Sequence, residues 1–224
     1  MERKEPGRIL DYGCGSGALV EYGARRGFDI VGYDPSSAAV AEARRRGLPV
    51  FGELPAGPFD LIMFWHSLEH ADNPHAVLER AKARLQEDGH FLIAVPNAAS
   101  WEAKIAKERW FHYDHPFHRV HFTPRSLGRL LGRSGFAVES ADFFTPEYTF
   151  TGLLQTFLNF VFPKNALYSI VAHRRFALPP SQLAAAGFAS LAGAVLFSPF
   201  IFLFFAAALI FRRTGAMVVV AKRI

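Results

Sequence analysis

The stretch that decides the fold is D-Y-G-C-G-S-G, residues 11 to 17, which follows a short apolar run at residues 8–12. Its three glycines at alternate positions let the backbone turn sharply and approach a ligand, because no Cβ is in the way. The helix predicted after Gly17 presents its free N–H groups at the same place. We interpret the stretch as a ligand-binding turn between a strand and a helix, and a tight turn without a ligand is the alternative.

Up to about Thr145 the sequence alternates short apolar runs with amphipathic stretches, which predicts a parallel sheet flanked by helices. The predicted strands are residues 8–12, 29–33, 59–65, 90–95 and 136–144. The predicted helices are residues 18–26, a helix that follows the second strand and runs through Arg46, residues 74–85 and residues 124–131. A β-branched run at residues 216–221 indicates one more buried strand near the end of the chain.

The spacing of the glycines distinguishes between two ligand classes. Dinucleotide-binding turns follow G-x-G-x-x-G, whereas the spacing here is G-x-G-x-G. Asp11 precedes the first glycine by two positions, where it would repel a pyrophosphate and suit a ligand with a positive amino group. Asp34 ends the second predicted strand, where a carboxylate can accept hydrogen bonds from both hydroxyls of a ribose. The alternative role for Asp34 is the N-cap of the next helix.

Three further segments extend the pattern: G-Y-D-P at 32–35, F-D-L-I-M-F-W-H-S-L-E-H at 59–70 and P-N at 96–97. With the glycine turn, they resemble the class I S-adenosylmethionine-dependent methyltransferases, in particular the small-molecule and lipid O-methyltransferases related to ubiquinone synthesis. The resemblance covers residues 8–144 and the final strand. It implies an α/β fold with a doubly wound, mostly parallel, seven-stranded Rossmann-like sheet whose last strand lies antiparallel between the fifth and sixth.

The same resemblance implies S-adenosyl-L-methionine as the cofactor. Asp11 and the backbone of residues 13–17 would hold its methionyl part, and Asp34 its ribose. Residues 53 and 54 would contact the adenine end, and residues 65 and 66 would lie beside the cofactor. The full set of predicted cofactor-binding residues is Asp11, Tyr12, Gly13, Cys14, Gly15, Gly17, Asp34, Pro35, Glu53, Leu54, Trp65 and His66.

The sequence H-S-L-E-H, residues 66 to 70, follows a predicted central strand, where ligands bind in open α/β sheets. We predict that His70, oriented by Glu69, removes a proton from a hydroxyl of the methyl acceptor. A zinc protease site has the order H-E-x-x-H on a helix, whereas the order here is H-x-x-E-H after a strand. We therefore predict no metal, and a capping or packing role is the other alternative.

Histidines recur at positions 112, 115, 118 and 121, and Pro116 argues against one continuous helix through them. The related methyltransferases have a P-x-H-x-x-H-F-[ST] element, which Pro116, His118, His121 and Phe122 match. This resemblance implies a loop that folds over the active site, and we predict that His115 and His118 bind the substrate. Exposed histidines in a polar loop are the alternative.

Residues 176–211 contain no charged side chain and no histidine, and arginine pairs flank them at 174–175 and 212–213. Within it, residues 183–211 are long enough for one membrane crossing and too short for two. Basic flanks favour the cytoplasmic side for both ends. Because the last strand must rejoin the sheet, we predict a re-entrant helical hairpin that bends at Ser198 and Pro199. The alternative is a buried hairpin that caps the domain or forms the core of a homodimer.

These patterns divide the chain into three predicted parts. Residues 1–145 form a cofactor-binding methyltransferase domain, 146–213 a hydrophobic, membrane-associated helical insertion, and 214–224 the final strand of the sheet. Within the insertion, a helix at 150–162 has an apolar face that would lie on a membrane surface or pack internally.

Composition limits the partners and the compartment. Half of the 224 residues are hydrophobic, which excludes a disordered chain. The 25 Lys and Arg against 20 Asp and Glu give a net charge of +5, too small and scattered a surplus to indicate nucleic acid. The single cysteine excludes an intrachain disulfide and favours a reducing compartment. We predict a membrane contact on the cytoplasmic side, with a homodimer possible.

The predicted function is S-adenosylmethionine-dependent methyl transfer, on oxygen, to a lipid-soluble or membrane-linked small molecule. Two other functions compete with this prediction. One is a non-catalytic, membrane-anchored adapter that has kept the methyltransferase fold. The other is an NAD-type oxidoreductase, which the glycine spacing disfavours.

Overall fold

The computed structural model describes residues 7–145, 148–165, 168 and 180–224. The strands are β1 Arg8–Tyr12, β2 Asp29–Tyr33, β3 Val50–Phe51, β4 Phe59–Trp65, β5 Leu85–Pro96, β6 Phe136–Asp142 and β7 Ala216–Arg223. The described helices are α1 Ala18–Ala24, α2 Ser37–Arg45, α3 Pro74–Lys82, α4 Trp101–Ala106, α5 Pro124–Arg133, α6 Thr149–Leu158 and α7 Pro180–Ile210. Short 3-10 turns cover Leu68–His70 and Lys107–Arg109.

The seven strands form one sheet in the order β3-β2-β1-β4-β5-β7-β6. β1 pairs in parallel with β2 on one side and β4 on the other, and β4 pairs in parallel with β5. The C-terminal strands make the rest of the sheet antiparallel, and β7 lies between β5 and β6. The predicted fold class is therefore confirmed.

This strand order also locates the ligand site. From β1, the strands β2 and β3 follow outward on one side of the sheet, and β4 and the later strands lie on the other side. The topology therefore switches between β1 and β4. In open α/β sheets, ligands bind outside the carboxyl ends of the strands at such a switch point. The ligand site is therefore expected at the turns that follow β1 and β4.

The chain folds into two compact units. The first comprises Met1–Val95, Pro124–Ala141 and Val218–Ile224, and the second comprises Pro96–Thr123 and Asp142–Met217. The first unit contains the glycine turn and the ends of β1, β2 and β4. The second contains α4, α6, α7 and the loop with the four histidines. The three-part division predicted from the sequence stays a prediction.

The apolar segment does not form the predicted hairpin, because α7 is one continuous helix with Pro199 inside it. Proline lacks the N–H that would bond to the carbonyl of Val195, four residues earlier. The Ser198 hydroxyl donates a 2.8 Å hydrogen bond to that same carbonyl and replaces the missing donor. The predicted bend at Ser198 and Pro199 is therefore wrong. The flanking Arg174 and Arg175 lie outside the described residues.

Across the residues that the structure describes, no helix is both long and apolar enough to cross a membrane.

Within the second unit, aromatic side chains pack α6 against α7. The ring centroids of Phe157 and Phe204 lie 5.6 Å apart, as do those of Phe150 and Phe205. Asn97, from the P-N pair, fixes the entry into β7. Its side-chain amide donates to the Thr214 carbonyl at 3.0 Å, and its backbone N–H donates to the next carbonyl at 2.8 Å.

Candidate active site

The glycine turn after β1 has a backbone that only glycine adopts readily. Gly13, Gly15 and Gly17 have φ angles of +80°, +54° and +81°. A Cβ at Gly13 would also lie 2.5 Å from the Cβ of Ser67, so the turns after β1 and β4 touch there. The Ser67 hydroxyl donates a 2.6 Å hydrogen bond to the Tyr12 carbonyl and ties the two turns together. Ser67 was not among the predicted site residues, because its only signal in the sequence is that it is small and polar.

Asp11 supplies a buried carboxyl group at this switch point. Its side chain is only 2% exposed, and its Oδ1 atom has no hydrogen-bond partner among the described residues. Burial, followed by the nearby charge of Asp34, raises the pKa of Asp11 to about 7. A buried carboxylate of this kind is stabilised when a cation comes beside it. The site therefore fits a ligand that carries a positive amino group.

Asp34, at the end of β2, is hydrogen-bonded to the glycine turn. Its Oδ2 accepts from the Gly15 N–H and its Oδ1 from the Ser36 N–H, both at 2.8 Å. The N-cap of α2 is Ser36, whose hydroxyl accepts from the Ala39 N–H, so the alternative of Asp34 as the cap is wrong. Each carboxylate oxygen can accept a second hydrogen bond. Ribose binding by Asp34 stays a prediction.

The middle of the glycine turn is open. A Cβ built at Gly15 would meet no atom within 4 Å, so this backbone borders free space in the described structure. Pro35 and Glu53 are exposed and Leu54 is half-buried, and these residues lie in the turns after β2 and β3. Because β1, β2 and β3 are parallel, these turns share one edge of the sheet.

Two of the predicted cofactor-binding residues point their side chains into the core. The Tyr12 ring packs against those of Tyr33 and Phe64, with centroid distances of 4.8 and 5.0 Å. Cys14 packs beneath the turn, where a Cβ at Gly32 would lie 2.5 Å from its sulfur. Burial, together with the charges of Asp11 and Asp34, raises the pKa of the Cys14 thiol to about 12. The Tyr12 side chain is therefore buried away from a ligand at the turn, whereas that of Cys14 is half-buried.

The end of β4 supplies a histidine and a carboxylate in contact. His66 has a φ of +50°, an uncommon conformation for a residue other than glycine. Its side chain is 12% exposed, and its Nδ1 lies 3.4 Å from Oε1 of Glu69, which is 1% exposed. Trp65 is half-buried beside it, with ring centroids 6.0 Å apart. Residues held in such sparsely populated backbone conformations are concentrated at functional sites.

His70 ends the 3-10 turn and is exposed. One of its ring nitrogens lies within 4.8 Å of a carboxylate oxygen of Glu69. The buried carboxylate therefore lies near two histidines, of which only His70 was predicted as its partner. The role of His70 as a base stays a prediction.

The histidine loop lies in the second unit. As Pro116 predicted, no α-helix passes through residues 110–123. His115 is exposed, and His118 is half-buried with its Nδ1 2.7 Å from the carbonyl oxygen of His112. His121 stacks on Tyr113 at 5.2 Å, and burial lowers its pKa. Substrate binding by His115 and His118 stays a prediction.

The class of the protein follows from the sheet and from the turn that it carries. Class I S-adenosylmethionine-dependent methyltransferases share this seven-stranded sheet with antiparallel C-terminal strands, and the protein is of this class. Residues 1–141 match the family model described as a methyltransferase domain, and the chain belongs to that family.

Curated relatives are similar over part of the chain. A ubiquinone biosynthesis O-methyltransferase of Acinetobacter baylyi is 29% identical over 104 residues, which cover 40% of this chain and 44% of that protein. The protein of the same name from Rhodopseudomonas palustris is 32% identical over 107 residues, covering 43% and 42%. The match thus spans less than half the length of these relatives.

Solved structures are similar in fold over nearly the whole chain. A SAM-dependent methyltransferase from Archaeoglobus fulgidus has a TM-score of 0.59 at 19% identity, covering 98% of this chain and 87% of that one. An O-methyltransferase from a Brevibacillus brevis multienzyme, in complex with S-adenosyl-L-homocysteine, has a TM-score of 0.55 at 16% identity, covering 98% and 67%.

Replacing Gly15 with leucine should abolish binding of S-adenosylhomocysteine, the demethylated form of the cofactor. The new side chain would fill the open space at the turn. Gly27, at the opposite edge of the sheet, is the matched control, because it has a φ of +82° and nothing within 4 Å of a built Cβ. Both variants should lose about 1–2 kcal/mol of stability from backbone strain. Calorimetry should show normal binding for Gly27→Leu, and equal binding by both variants would contradict a ligand at the turn.

The Asp34→Ala protein should bind S-adenosylhomocysteine about 10- to 100-fold more weakly, since it loses acceptors for the ribose hydroxyls. Asp29 begins the same strand and is exposed, so Asp29→Ala serves as the control. Comparison with S-adenosylhomocysteine that lacks the ribose hydroxyls separates the two causes of weaker binding. If Asp34→Ala weakens binding of both ligands equally, Asp34 supports the turn and does not bind ribose.

Proposed function

We propose that the protein transfers a methyl group from S-adenosylmethionine to an oxygen atom of a lipid-soluble or membrane-linked small molecule. The observation that carries the proposal is the buried Asp11 carboxylate, whose Oδ1 lacks a partner among the described residues, beside the open glycine turn. The relatives named O-methyltransferases support oxygen as the acceptor atom.

The cofactor supplies a methyl group that is already activated on a sulfonium, so the protein has to position the reactants more than react with them. Asp11 would hold the positive amino group, and the backbone of residues 13–17 would line the same part of the ligand. Asp34 would hold the ribose hydroxyls. Glu53 and Leu54, in the turn after β3, would lie toward the adenine end.

A hydroxyl acceptor must also lose a proton. We assign the removal of this proton to His66. Its ring is largely buried at the switch point, and its Nδ1 faces the Glu69 carboxylate at 3.4 Å. A carboxylate on Nδ1 fixes the ring orientation and favours Nε2 as the proton acceptor. His70 remains the second candidate, and variants of the two histidines distinguish them.

The apolar helix α7 supports a lipid-soluble acceptor. Several of its large apolar side chains are exposed, among them Leu196 and Phe200 at 70% and 72%. An acceptor with a long apolar tail would stay in the bilayer while its head group reached the enzyme. The proposal places the protein on the cytoplasmic side of the membrane, which the basic residues at 212 and 213 favour.

Methyl transfer is tested by incubating the protein and S-adenosylmethionine carrying a labelled methyl group with lipid extracts, followed by mass spectrometry. We expect a labelled methyl ether in one lipid-soluble compound. The Asp11→Asn protein should give no labelled product. Label in a water-soluble compound only would contradict the lipid acceptor. Cofactor binding without label transfer to any fraction would favour the adapter that has kept the fold.

A further inference from the structure

One face of α7 is apolar and exposed to solvent. Its side chains at positions 195, 196, 200, 202, 203 and 210 are between 60% and 77% exposed, and all are Val, Leu, Phe or Ile. Ile201 and Ala208, on the other side of the helix, are 1% and 2% exposed. At 3.6 residues per turn, the exposed set covers about half of the circumference. We call this set the α7 face, and a contiguous apolar surface of this kind marks an interaction site.

The C-terminal end of the α7 face is basic and aromatic. Arg212 and Arg213 follow the helix directly and are exposed. Trp101 is half-buried there, its ring centroid 5.4 Å from that of Phe211, and its backbone N–H donates to the Arg213 carbonyl at 3.0 Å. Lys104, one turn further along α4, is also exposed. Tryptophan and arginine beside an apolar face are typical of helices that lie at the surface of a bilayer.

Charge favours a bilayer over a second copy of the chain. Residues 180–210 contain no Asp or Glu, so the α7 face of a second copy would offer no carboxylate to Arg212 and Arg213. Anionic lipid headgroups would neutralise these arginines instead. The apolar side chains would then enter the boundary between headgroups and acyl chains.

We propose that the α7 face docks on an anionic lipid bilayer, with Arg212 and Arg213 at the headgroups. The inference rests on the proposed function and deepens it, since it names the surface that would hold the protein at a bilayer containing a lipid-linked acceptor. Docking itself does not require methyl transfer, so the two can fail separately.

The test is flotation of the full chain with vesicles of phosphatidylcholine containing phosphatidylglycerol. We expect the wild-type protein to float with the vesicles and the Phe200→Asp/Leu203→Asp protein to bind at least 100-fold more weakly, because two large apolar side chains are lost. Tyr22 on α1 is the control, being 56% exposed in the first unit, and Tyr22→Asp should bind like the wild type. Unchanged binding of S-adenosylhomocysteine verifies that each variant is folded.

A second pair of variants tests the charge. Arg212→Gln/Arg213→Gln should bind the anionic vesicles about 25-fold more weakly, since each basic residue near such a surface contributes about fivefold. The same variant should bind pure phosphatidylcholine vesicles like the wild type. Absence of wild-type flotation, or flotation that none of these substitutions changes, would overturn the proposal. A dimer in light scattering that Phe200→Asp/Leu203→Asp converts to a monomer, without vesicle binding, would assign the face to a second copy.

Discussion

The Asp11→Asn protein is expected to lose at least 100-fold in affinity for S-adenosylhomocysteine and to be more stable than the wild type when no ligand is bound. Affinity falls because the buried carboxylate is the partner of the amino group, and removing one member of a buried ion pair costs about 3–5 kcal/mol. Stability rises because the wild-type carboxylate, 2% exposed, is ionised at pH 8 although its Oδ1 has no partner among the described residues.

The sign of this stability effect follows from the pKa of Asp11, which is about 7 in the folded protein against 3.8 for an ordinary Asp. Between these values the folded state binds the proton more tightly than the unfolded state, so stability of the unliganded wild type falls as pH rises from 4 to 7. At pH 8, Asp11→Asn should be more stable by up to about 4 kcal/mol, and at pH 4 the difference should disappear.

Denaturant unfolding at pH 4, 6 and 8 measures this effect, with Asp29→Asn as the control for an exposed carboxylate. Ligand affinity of the wild type should weaken as pH falls below 7, up to about tenfold per unit, because binding then requires loss of a proton from Asp11. A pH-independent affinity, or an Asp11→Asn protein that binds normally, would contradict the assignment of Asp11 to the amino group.

The His66→Ala protein is expected to show a kcat that is 100- to 10,000-fold lower on the acceptor identified by label transfer, a loss much larger than any loss of S-adenosylhomocysteine affinity. The reason is the loss of the base that the Glu69 carboxylate faces at 3.4 Å. Stopped-flow single-turnover measurements separate the chemical step from binding and product release.

His70→Ala is the matched comparison, because His70 lies near the same carboxylate but is exposed. We expect it to retain most of the wild-type kcat, and Glu69→Gln to lower kcat less than His66→Ala does. If His70→Ala loses the activity and His66→Ala keeps it, the base is His70, as the sequence analysis predicted. Near-normal turnover by both single variants would contradict a histidine base at the end of β4.

The part of the fold that carries the site was predictable because its signals are local. The G-x-G-x-G spacing requires left-handed backbone, and Gly13, Gly15 and Gly17 all have positive φ. The position of β7 between β5 and β6 is not local, and it was predicted only through the resemblance to a known family. Asp34 was placed correctly at the end of β2, whereas the choice of helix cap depended on backbone geometry that brings Ser36 into position.

The remaining differences arise from tertiary contacts. Pro199 predicts a bend, but the hydrogen bond from Ser198 to the Val195 carbonyl keeps α7 continuous. The sequence position of Glu102, in the first turn of α4, is one where a carboxylate is usually exposed. In the structure Glu102 is 3% exposed, and burial raises its pKa to about 8. The contact of Glu69 with His66 depends on the 3-10 turn at residues 68–70, which the sequence does not reveal.

Binding of the cofactor is measured most directly by calorimetric titration of the full chain with S-adenosylhomocysteine and, separately, with NAD. We expect S-adenosylhomocysteine to bind with one ligand per chain at pH 8, and NAD to produce no heat of binding, because Asp11 repels a pyrophosphate at the glycine turn. Binding of NAD in preference to S-adenosylhomocysteine, or binding of neither ligand, would contradict a methyl-transfer site at the ends of β1 and β2.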